Sequence, residues 1–98
     1  MTDDSLMVSV CMITYNHESY IKEAIEGVLL QKTNFRIELI IGEDCSKDNT
    51  RLICEDYASK NERITLLPSN LNLGIISNLT RTLNACNGKY IAFCEGDD

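Results

Sequence analysis

The apolar positions of the chain fall alternately into short continuous runs and into stretches with helical spacing. Four runs, at residues 6–14, 35–41, 63–67 and 90–94, are rich in apolar and β-branched side chains. Such runs are typical of strands buried on both faces of a sheet. Between them, three stretches repeat apolar side chains every three or four positions, at about residues 20–31, 48–60 and 75–86. This spacing predicts three amphipathic helices.

Strands and helices therefore alternate along the whole chain, which predicts one α/β domain over residues 1–98. We expect a Rossmann-like three-layer αβα fold with a mainly parallel sheet that ends after the fourth strand. In such sheets ligands bind at the carboxyl ends of the strands. The segments 14–16, 43–46 and 95–98 follow three of the four strands. They are therefore predicted to meet at one edge of the sheet.

Several residues mark the ends of these elements. Ser19 is predicted to cap the first helix, and Gly88 to terminate the third helix as its C-cap glycine. Residues 89–93, which overlap the fourth run, are predicted to form a buried strand because their side chains are almost all apolar.

Charge and cysteine usage exclude some partners. The 98 residues carry a formal net charge of −6, which argues against nucleic acid or an anionic membrane surface as the main partner. The five cysteines form no CxxC pair and are odd in number, which favours reduced thiols and a cytoplasmic location.

The last four residues carry three carboxylates, those of Glu95, Asp97 and Asp98, directly after the fourth strand. Oxygen ligands without histidine suit Mg²⁺ or Mn²⁺, which takes the rest of its shell from water and substrate phosphates. Gly96 would let the backbone approach a ligand closely. The glycine-rich phosphate-binding patterns are missing, so the metal would have to hold the phosphates. The alternative is a solvated acidic turn.

Two further residues, Tyr15 and Asp44, follow strand ends. Each is interpreted either as a ligand-binding residue or as one with a purely structural role. Tyr15 would stack on a planar base or pack against the first helix. Asp44 would accept a hydrogen bond from a base N–H or cap the second helix. His17 is the single histidine, so a metal site built from several histidines is excluded.

Four stretches in order, residues 8–16, 20–25, 38–50 and 88–98, resemble the family 2 glycosyltransferases, the inverting group with the GT-A fold. The resemblance implies a nucleotide-diphospho-sugar donor, usually a UDP-sugar. It also implies transfer to the hydroxyl of a glycan or lipid-linked acceptor, in polysaccharide or cell-surface glycan synthesis. The parent protein would then act in the cytoplasm or at the inner face of the membrane.

The resemblance also implies roles for single residues. Tyr15 looks like the residue that lies against the base, and Asp44 like the one that bonds the base N–H. Residues 95–97 look like the family's DxD motif, with Glu95 where Asp is more usual. Glu95 and Gly96 would then lie near the ribose and Asp97 would bind the Mg²⁺ or Mn²⁺, while Ile13 and Glu43 would line the same pocket.

The sequence departs from the family pattern at other places as well. Glu43-Asp44 stands where an Asp-Asp pair is commoner, and Cys45 stands where Gly or Asn is common. Leu79 and Thr80 replace an Arg-Asn pair, which leaves Asn78 and Arg81 as the nearby polar candidates.

No catalytic residue is predicted within the chain. Inverting transfer needs a carboxylate base, which family members carry beyond the DxD motif, so the base is expected beyond residue 98. We therefore expect a fragment without the acceptor-binding half. It would be inactive alone and would self-associate through an exposed sheet edge.

Two alternatives share the fold class. A sugar-nucleotidyltransferase would need a glycine-rich, basic loop after the first strand, where residues 14–18 are not of that type. A non-catalytic receiver-like module would place its acidic pair after the first strand, where this chain has Tyr15 and Asn16.

Overall fold

The computed structural model describes residues 3–96 and contains the predicted order of strands and helices. Its elements are β1 (Asp3–Thr14), α1 (Ile21–Leu29), β2 (Phe35–Glu43), α2 (Thr50–Lys60), β3 (Ile64–Pro68), α3 (Ile75–Asn84) and β4 (Tyr90–Glu95).

The four strands form one parallel sheet in the order β3-β2-β1-β4. Ile13, near the end of β1, is in register with Gly42 of β2 on one side and Glu95 of β4 on the other. The carboxyl ends of these three strands are therefore neighbours. As far as Gly96, this confirms the prediction that the segments following these strands meet at one edge.

Helices cover both faces of the sheet. On one face α1 and α2 enclose the apolar core, whose members are Met12, Ile21, Ala24, Ile25, Leu39, Ile41, Cys54 and Ile64. On the opposite face α3 lies against β2, where the side-chain amide of Asn78 donates to the carbonyl of Gly42 at 2.9 Å. Successive side chains of a strand point to opposite faces, so Gly42 faces α3 and Ile41 faces the core. The three-layer α/β fold is confirmed.

The packing of α3 on β2 depends on a residue without a side chain. A Cβ at Gly42 would lie 2.0 Å from the hydroxyl oxygen of Thr82 and 2.8 Å from Oδ1 of Asn78. Both neighbours are themselves buried. Glycine at this position is therefore what lets the helix approach the sheet closely.

Two predicted helix ends are wrong. The N-cap position of α1 is Tyr20, not Ser19, and the carbonyl of His17 accepts the N–H groups of Tyr20 and Ile21 at 2.8 Å. Gly88 does not cap α3, which ends at Asn84. A Cβ at Gly88 would lie 2.6 Å from the backbone nitrogen of Ser9, so glycine is needed there for contact with β1.

The prediction that β4 is buried is also wrong. Tyr90, Ile91 and Phe93 are 57%, 41% and 64% exposed. Within residues 3–96, β4 pairs only with β1 and forms one edge of the sheet. The helix on this side, α3, packs over β1 and β2 instead. An apolar sequence identifies a strand, but its burial depends on which elements cover it.

All five cysteines are free thiols, and Cys11 and Cys54 are buried. Across residues 3–96, no helix has the length and apolar character needed to cross a membrane.

Candidate functional site

A cavity of about 200 Å³ opens at the carboxyl ends of β1, β2 and β4, beside the start of α3. Four of the predicted site residues, Ile13, Tyr15, Asp44 and Glu95, line it together. The other lining residues are Thr14, His17, Ile75 and Asn78. Asp97, the predicted metal ligand, lies outside the described residues.

The loops after β1 and β2 bind each other, and this fixes the backbone on both sides of Tyr15. The N–H of Asn16 donates to the hydroxyl of Ser46 at 2.9 Å, and Oδ1 of Asn16 accepts the N–H of Lys47 at 2.8 Å. Asn16 has a φ of 55°, a left-handed conformation that asparagine adopts more readily than most residues. Tyr15 therefore leaves β1 on a tightly held turn.

Asp48 links the same two loops to α2. Its Oδ2 accepts the N–H of Glu18 at 3.1 Å, and its Oδ1 accepts the N–H of Thr50 at 2.9 Å. Burial tends to raise the pKa of Asp48, but these bonds and one from the Thr50 hydroxyl outweigh it and lower the pKa. The N-cap position of α2 is Asn49, and the N–H of its first residue, Thr50, is bound by Asp48, so Asp44 does not cap this helix.

Asp44 holds the segment that precedes α3. Its side chain is almost fully buried, and its two oxygens accept the N–H of Leu73 at 2.6 Å and the N–H of Gly74 at 2.9 Å. The Asp44 carbonyl also accepts the side-chain amide of Asn72 at 3.2 Å. A carboxylate offers about four acceptor positions, so Asp44 retains capacity for a ligand N–H.

Glu43 does not line the cavity, in contrast to its role implied by the resemblance. It is fully buried, its Oε2 accepts the N–H and the hydroxyl of Ser46, and its Oε1 has no hydrogen-bond partner. Burial and the nearby Glu43 carboxylate raise the pKa of the Cys54 thiol to about 12. Glu43 therefore holds the loop after β2 through Ser46 and is not part of the cavity wall.

Gly96 packs against the end of β1. Its N–H donates to the carbonyl of Ile13 at 3.0 Å. A Cβ at Gly96 would lie 2.4 Å from the hydroxyl oxygen of Thr14 and 2.7 Å from Nδ1 of His17. These two atoms are themselves 2.9 Å apart. Glycine is required here by contact within the protein, whereas the sequence suggested contact with a ligand.

Arg81 and Asn78, the polar candidates of α3, serve the fold. The guanidinium of Arg81 donates to the carbonyls of Glu43 and Leu67, each at 2.9 Å, and its Nε donates to Oδ1 of Asn78 at 2.8 Å. These bonds join α3 to the carboxyl ends of β2 and β3. Asn78 reaches the cavity wall, but its amide is engaged by Arg81 and by Gly42.

The oxygen ligands at the cavity suit a hard divalent ion in type but are few. Asp44 and Glu95 line the wall. Between residues 3 and 96 there is no group of three His, Cys, Asp or Glu side chains that would hold a metal. An ion at this place would therefore need further oxygens from the residues after Gly96 or from a bound phosphate, as Mg²⁺ sites commonly do.

Three lining residues, Thr14, His17 and Ile75, were not assigned to the site from the sequence, and Ile75 is the apolar one among them. The buried residues of α3 are Asn78 and Thr82, while Ile75 and Ile76 at its start are 74% and 80% exposed. Two adjacent isoleucines at the start of a helix could have indicated an exposed apolar contact. The sequence did not reveal this, because the spacing of apolar side chains does not show which face of α3 meets the sheet.

The sequence matches the family described as Glycosyl transferase family 2 over residues 9–98. It is 39% identical over 92 residues to an uncharacterised protein of Mycobacterium tuberculosis, covering 93% of this chain and 27% of that protein. It is 36% identical over 98 residues to the putative teichuronic acid biosynthesis glycosyltransferase TuaG of Bacillus subtilis, covering 100% of this chain and 38% of TuaG.

Two solved structures are similar in fold. S. aureus TarS (1–349) in complex with UDP-GlcNAc has a TM-score of 0.82 at 27% identity, covering 94% of this chain and 27% of that one. The mannosyltransferase PcManGT of Pyrobaculum calidifontis, in complex with GDP-Man and Mn²⁺, has a TM-score of 0.81 at 21% identity, covering 92% of this chain and 27% of that one.

The family match covers nearly the whole chain, and the fold and the strand-end cavity agree with it. The nucleotidyltransferase and receiver alternatives are thereby set aside. The chain spans 27% of the length of the Mycobacterium tuberculosis protein and 38% of that of TuaG. It belongs to glycosyl transferase family 2.

Proposed function

We propose that the chain is the nucleotide-sugar-binding part of an inverting glycosyltransferase. The full polypeptide would transfer a sugar from a nucleoside-diphosphate donor, in our proposal a UDP-sugar, to an acceptor hydroxyl. The observation that carries the proposal is the convergence of Ile13, Tyr15, Asp44 and Glu95 on one cavity at the strand ends. Its volume of about 200 Å³ is below the range of about 300–1,000 Å³ for sites that enclose drug-sized ligands. The cavity would therefore enclose the nucleoside and leave the diphosphate and sugar outside it.

In this proposal Tyr15 provides the aromatic face for the base. Asp44 accepts the base N–H with the acceptor positions that Leu73 and Gly74 leave open. The main-chain bonds to Asp44 fix the carboxylate before the ligand arrives, which lowers the cost of ordering it on binding.

Glu95, which lines the cavity, would contact the ribose, and Asp97 would bind Mg²⁺ or Mn²⁺. Such an ion, when bound, neutralises the diphosphate that leaves with the nucleoside. The carboxylate base that deprotonates the acceptor is proposed to lie beyond residue 98, so the 98-residue chain alone should give no turnover.

The acceptor proposal rests on relatives. TuaG is named for teichuronic acid biosynthesis. We therefore propose a glycan or lipid-linked acceptor in cell-surface polymer synthesis, in the cytoplasm or at the inner face of the membrane. The net charge of −6 argues against nucleic acid as a partner.

Calorimetric titration of the full-length polypeptide with UDP, with and without Mn²⁺, tests the donor proposal. We expect metal-dependent binding that Tyr15→Ala weakens by about 1–3 kcal/mol, the usual contribution of stacking between a base and an aromatic ring. Tyr20→Ala is the control, because Tyr20 is the same residue type, is exposed and does not line the cavity. Equal UDP affinity in both variants, or binding without metal dependence, would contradict the proposal.

Self-association of the 98-residue chain is a separate proposal. Phe93 is 64% exposed on β4, which forms one edge of the sheet in the described part of the chain. An apolar edge strand with unpaired backbone groups favours pairing with another copy. Sedimentation velocity should show concentration-dependent dimers that Phe93→Lys reduces. A monomer over the full concentration range would refute it.

A further inference from the structure

Ile75 is an apolar side chain held in an exposed position by polar contacts around it. It is 74% exposed, although it begins a helix that packs on the sheet. Isolated exposed apolar residues are common on protein surfaces. Ile75 differs because it lines the same cavity as Tyr15 and Asp44.

The backbone that carries Ile75 is fixed on both sides. Before it, the N–H groups of Leu73 and Gly74 are bound by Asp44 at 2.6 and 2.9 Å. After it, the N–H of Asn78 donates to the carbonyl of Gly74 at 2.9 Å. Gly74 itself has a φ of 89°, a conformation that favours glycine and that turns the chain into α3.

We propose that Ile75 is a donor-binding residue whose side chain packs against the nucleoside in the cavity that Tyr15 also lines. The inference rests on the proposed function, and it adds a contact that the sequence resemblance did not assign. Covering Ile75 with the flat, partly apolar surface of a nucleoside would remove its exposed carbons from water, which is favourable.

The inference also gives Asp44 a second task. Because its carboxylate fixes Leu73 and Gly74, it positions Ile75 as well as offering an acceptor to the base. Asp44 would then bind the edge of the base and also hold the backbone that places Ile75 against the face of the nucleoside. In this proposal Ile75 contributes to binding of the nucleoside and not of the diphosphate or the sugar.

The neighbouring Ile76 provides a matched control. It is the same residue type, lies in the same helix turn and is 80% exposed, but it does not line the cavity. Truncating either side chain to alanine removes the same atoms from a solvent-exposed site. A difference in ligand affinity between the two variants would report contact in the cavity alone.

The experiment titrates UDP and UMP, each with Mn²⁺, into the full-length polypeptide. We expect Ile75→Ala to weaken both ligands by roughly tenfold, the lower end of the effect of missing methylenes in an apolar pocket. Ile76→Ala should leave both affinities unchanged, and Ile75→Val should keep most of the affinity. The weakening factor should be the same for UMP and UDP, because the proposed contact is to the nucleoside.

Three results would overturn the inference while leaving the proposed function intact. These are equal affinities for Ile75→Ala and Ile76→Ala, weakening for UDP but not for UMP, and a lower melting temperature for Ile75→Ala alone. The last would make Ile75 a residue of the fold. If the unaltered polypeptide binds neither UDP nor UMP, the proposed function itself fails.

Discussion

The carboxylate of Asp44 holds the backbone N–H of Gly74 at 2.9 Å, across 30 positions of the sequence. This bond joins the residue after β2 to the start of α3, so the position of Ile75 at the cavity depends on another lining residue, Asp44. The same carboxylate binds the N–H of Leu73, and its side chain is buried. The carboxylate of Asp44 therefore supports the local fold and, in our proposal, also binds the ligand.

Replacing Asp44 by alanine should lower both stability and nucleotide affinity. The variant leaves the N–H groups of Leu73 and Gly74 without their acceptor, which we expect to cost about 1–3 kcal/mol in the free energy of unfolding. Urea denaturation measures this loss, and calorimetry with UDP measures the affinity. Asp56→Ala is the control, because the Asp56 side chain makes an exposed ion pair with Lys60 at 3.1 Å and such pairs contribute little. Equal stability of the two variants would show that the Asp44 bonds do not support the fold.

Gly42→Ala should destabilise the fold through overpacking between β2 and α3. The added methyl group would meet Thr82 Oγ1 at 2.0 Å, so the helix must move, at a cost of about 1–3 kcal/mol. Gly27→Ala in α1 is the matched substitution, since a Cβ there meets nothing within 4 Å. It should raise the unfolding free energy by up to about 1 kcal/mol, because alanine favours helix. A Gly42→Ala variant as stable as Gly27→Ala would refute the close packing.

Much of this architecture was predictable because it depends on local pattern and on general rules of chain topology. Apolar runs separated by helical spacing gave the order of elements, and the parallel arrangement placed Tyr15, Asp44 and Glu95 at one edge. The turn residues were harder to interpret. Gly88 and Gly96 are required by contacts with Ser9 and Thr14, which are distant in sequence.

Burial was the property that the sequence predicted least well. The residues of β4 have the composition of a central strand, yet β4 lies at an edge. In α3 the buried residues are polar, because Asn78 and Thr82 meet the glycine of β2 and not a broad apolar surface. Which side of an element is covered depends on its partners, and periodicity within one element does not identify them.

Cys45 offers a test of backbone strain at the site. Its φ is 60°, in the left-handed region that costs a residue with a Cβ about 1–2 kcal/mol. Glycine and asparagine adopt that conformation at lower cost than other residues. We therefore expect Cys45→Asn to raise the midpoint of urea unfolding and Cys45→Val, with its branched Cβ, to lower it. The same midpoint for both variants would show that the conformation of residue 45 carries no strain.

Glu38 should make stability depend on pH in the acidic range. Its carboxylate accepts bonds from the Ser9 hydroxyl, from the N–H of Asn87 at 2.6 Å and from the Asn87 amide at 3.3 Å. Burial alone would raise the pKa of Glu38, but these bonds outweigh it and hold the pKa below its ordinary value of 4.5. The charged form is therefore favoured by folding. Its contribution is fully present above pH 4.5 and is lost as the pH falls through the lower pKa of the folded state.

Urea unfolding of Glu38→Gln across pH 3–7 checks this expectation, with the exposed Glu62→Gln as the control. Glutamine cannot replace the charged acceptor for Ser9 and Asn87, so the variant should be less stable than the parent at neutral pH. The difference should shrink at acidic pH, where the parent carboxylate also becomes neutral. Glu62→Gln should follow the parent at every pH. A stability difference for Glu38→Gln that stays constant from neutral to acidic pH would mean that the charge of Glu38 is not what secures the turn between α3 and β4.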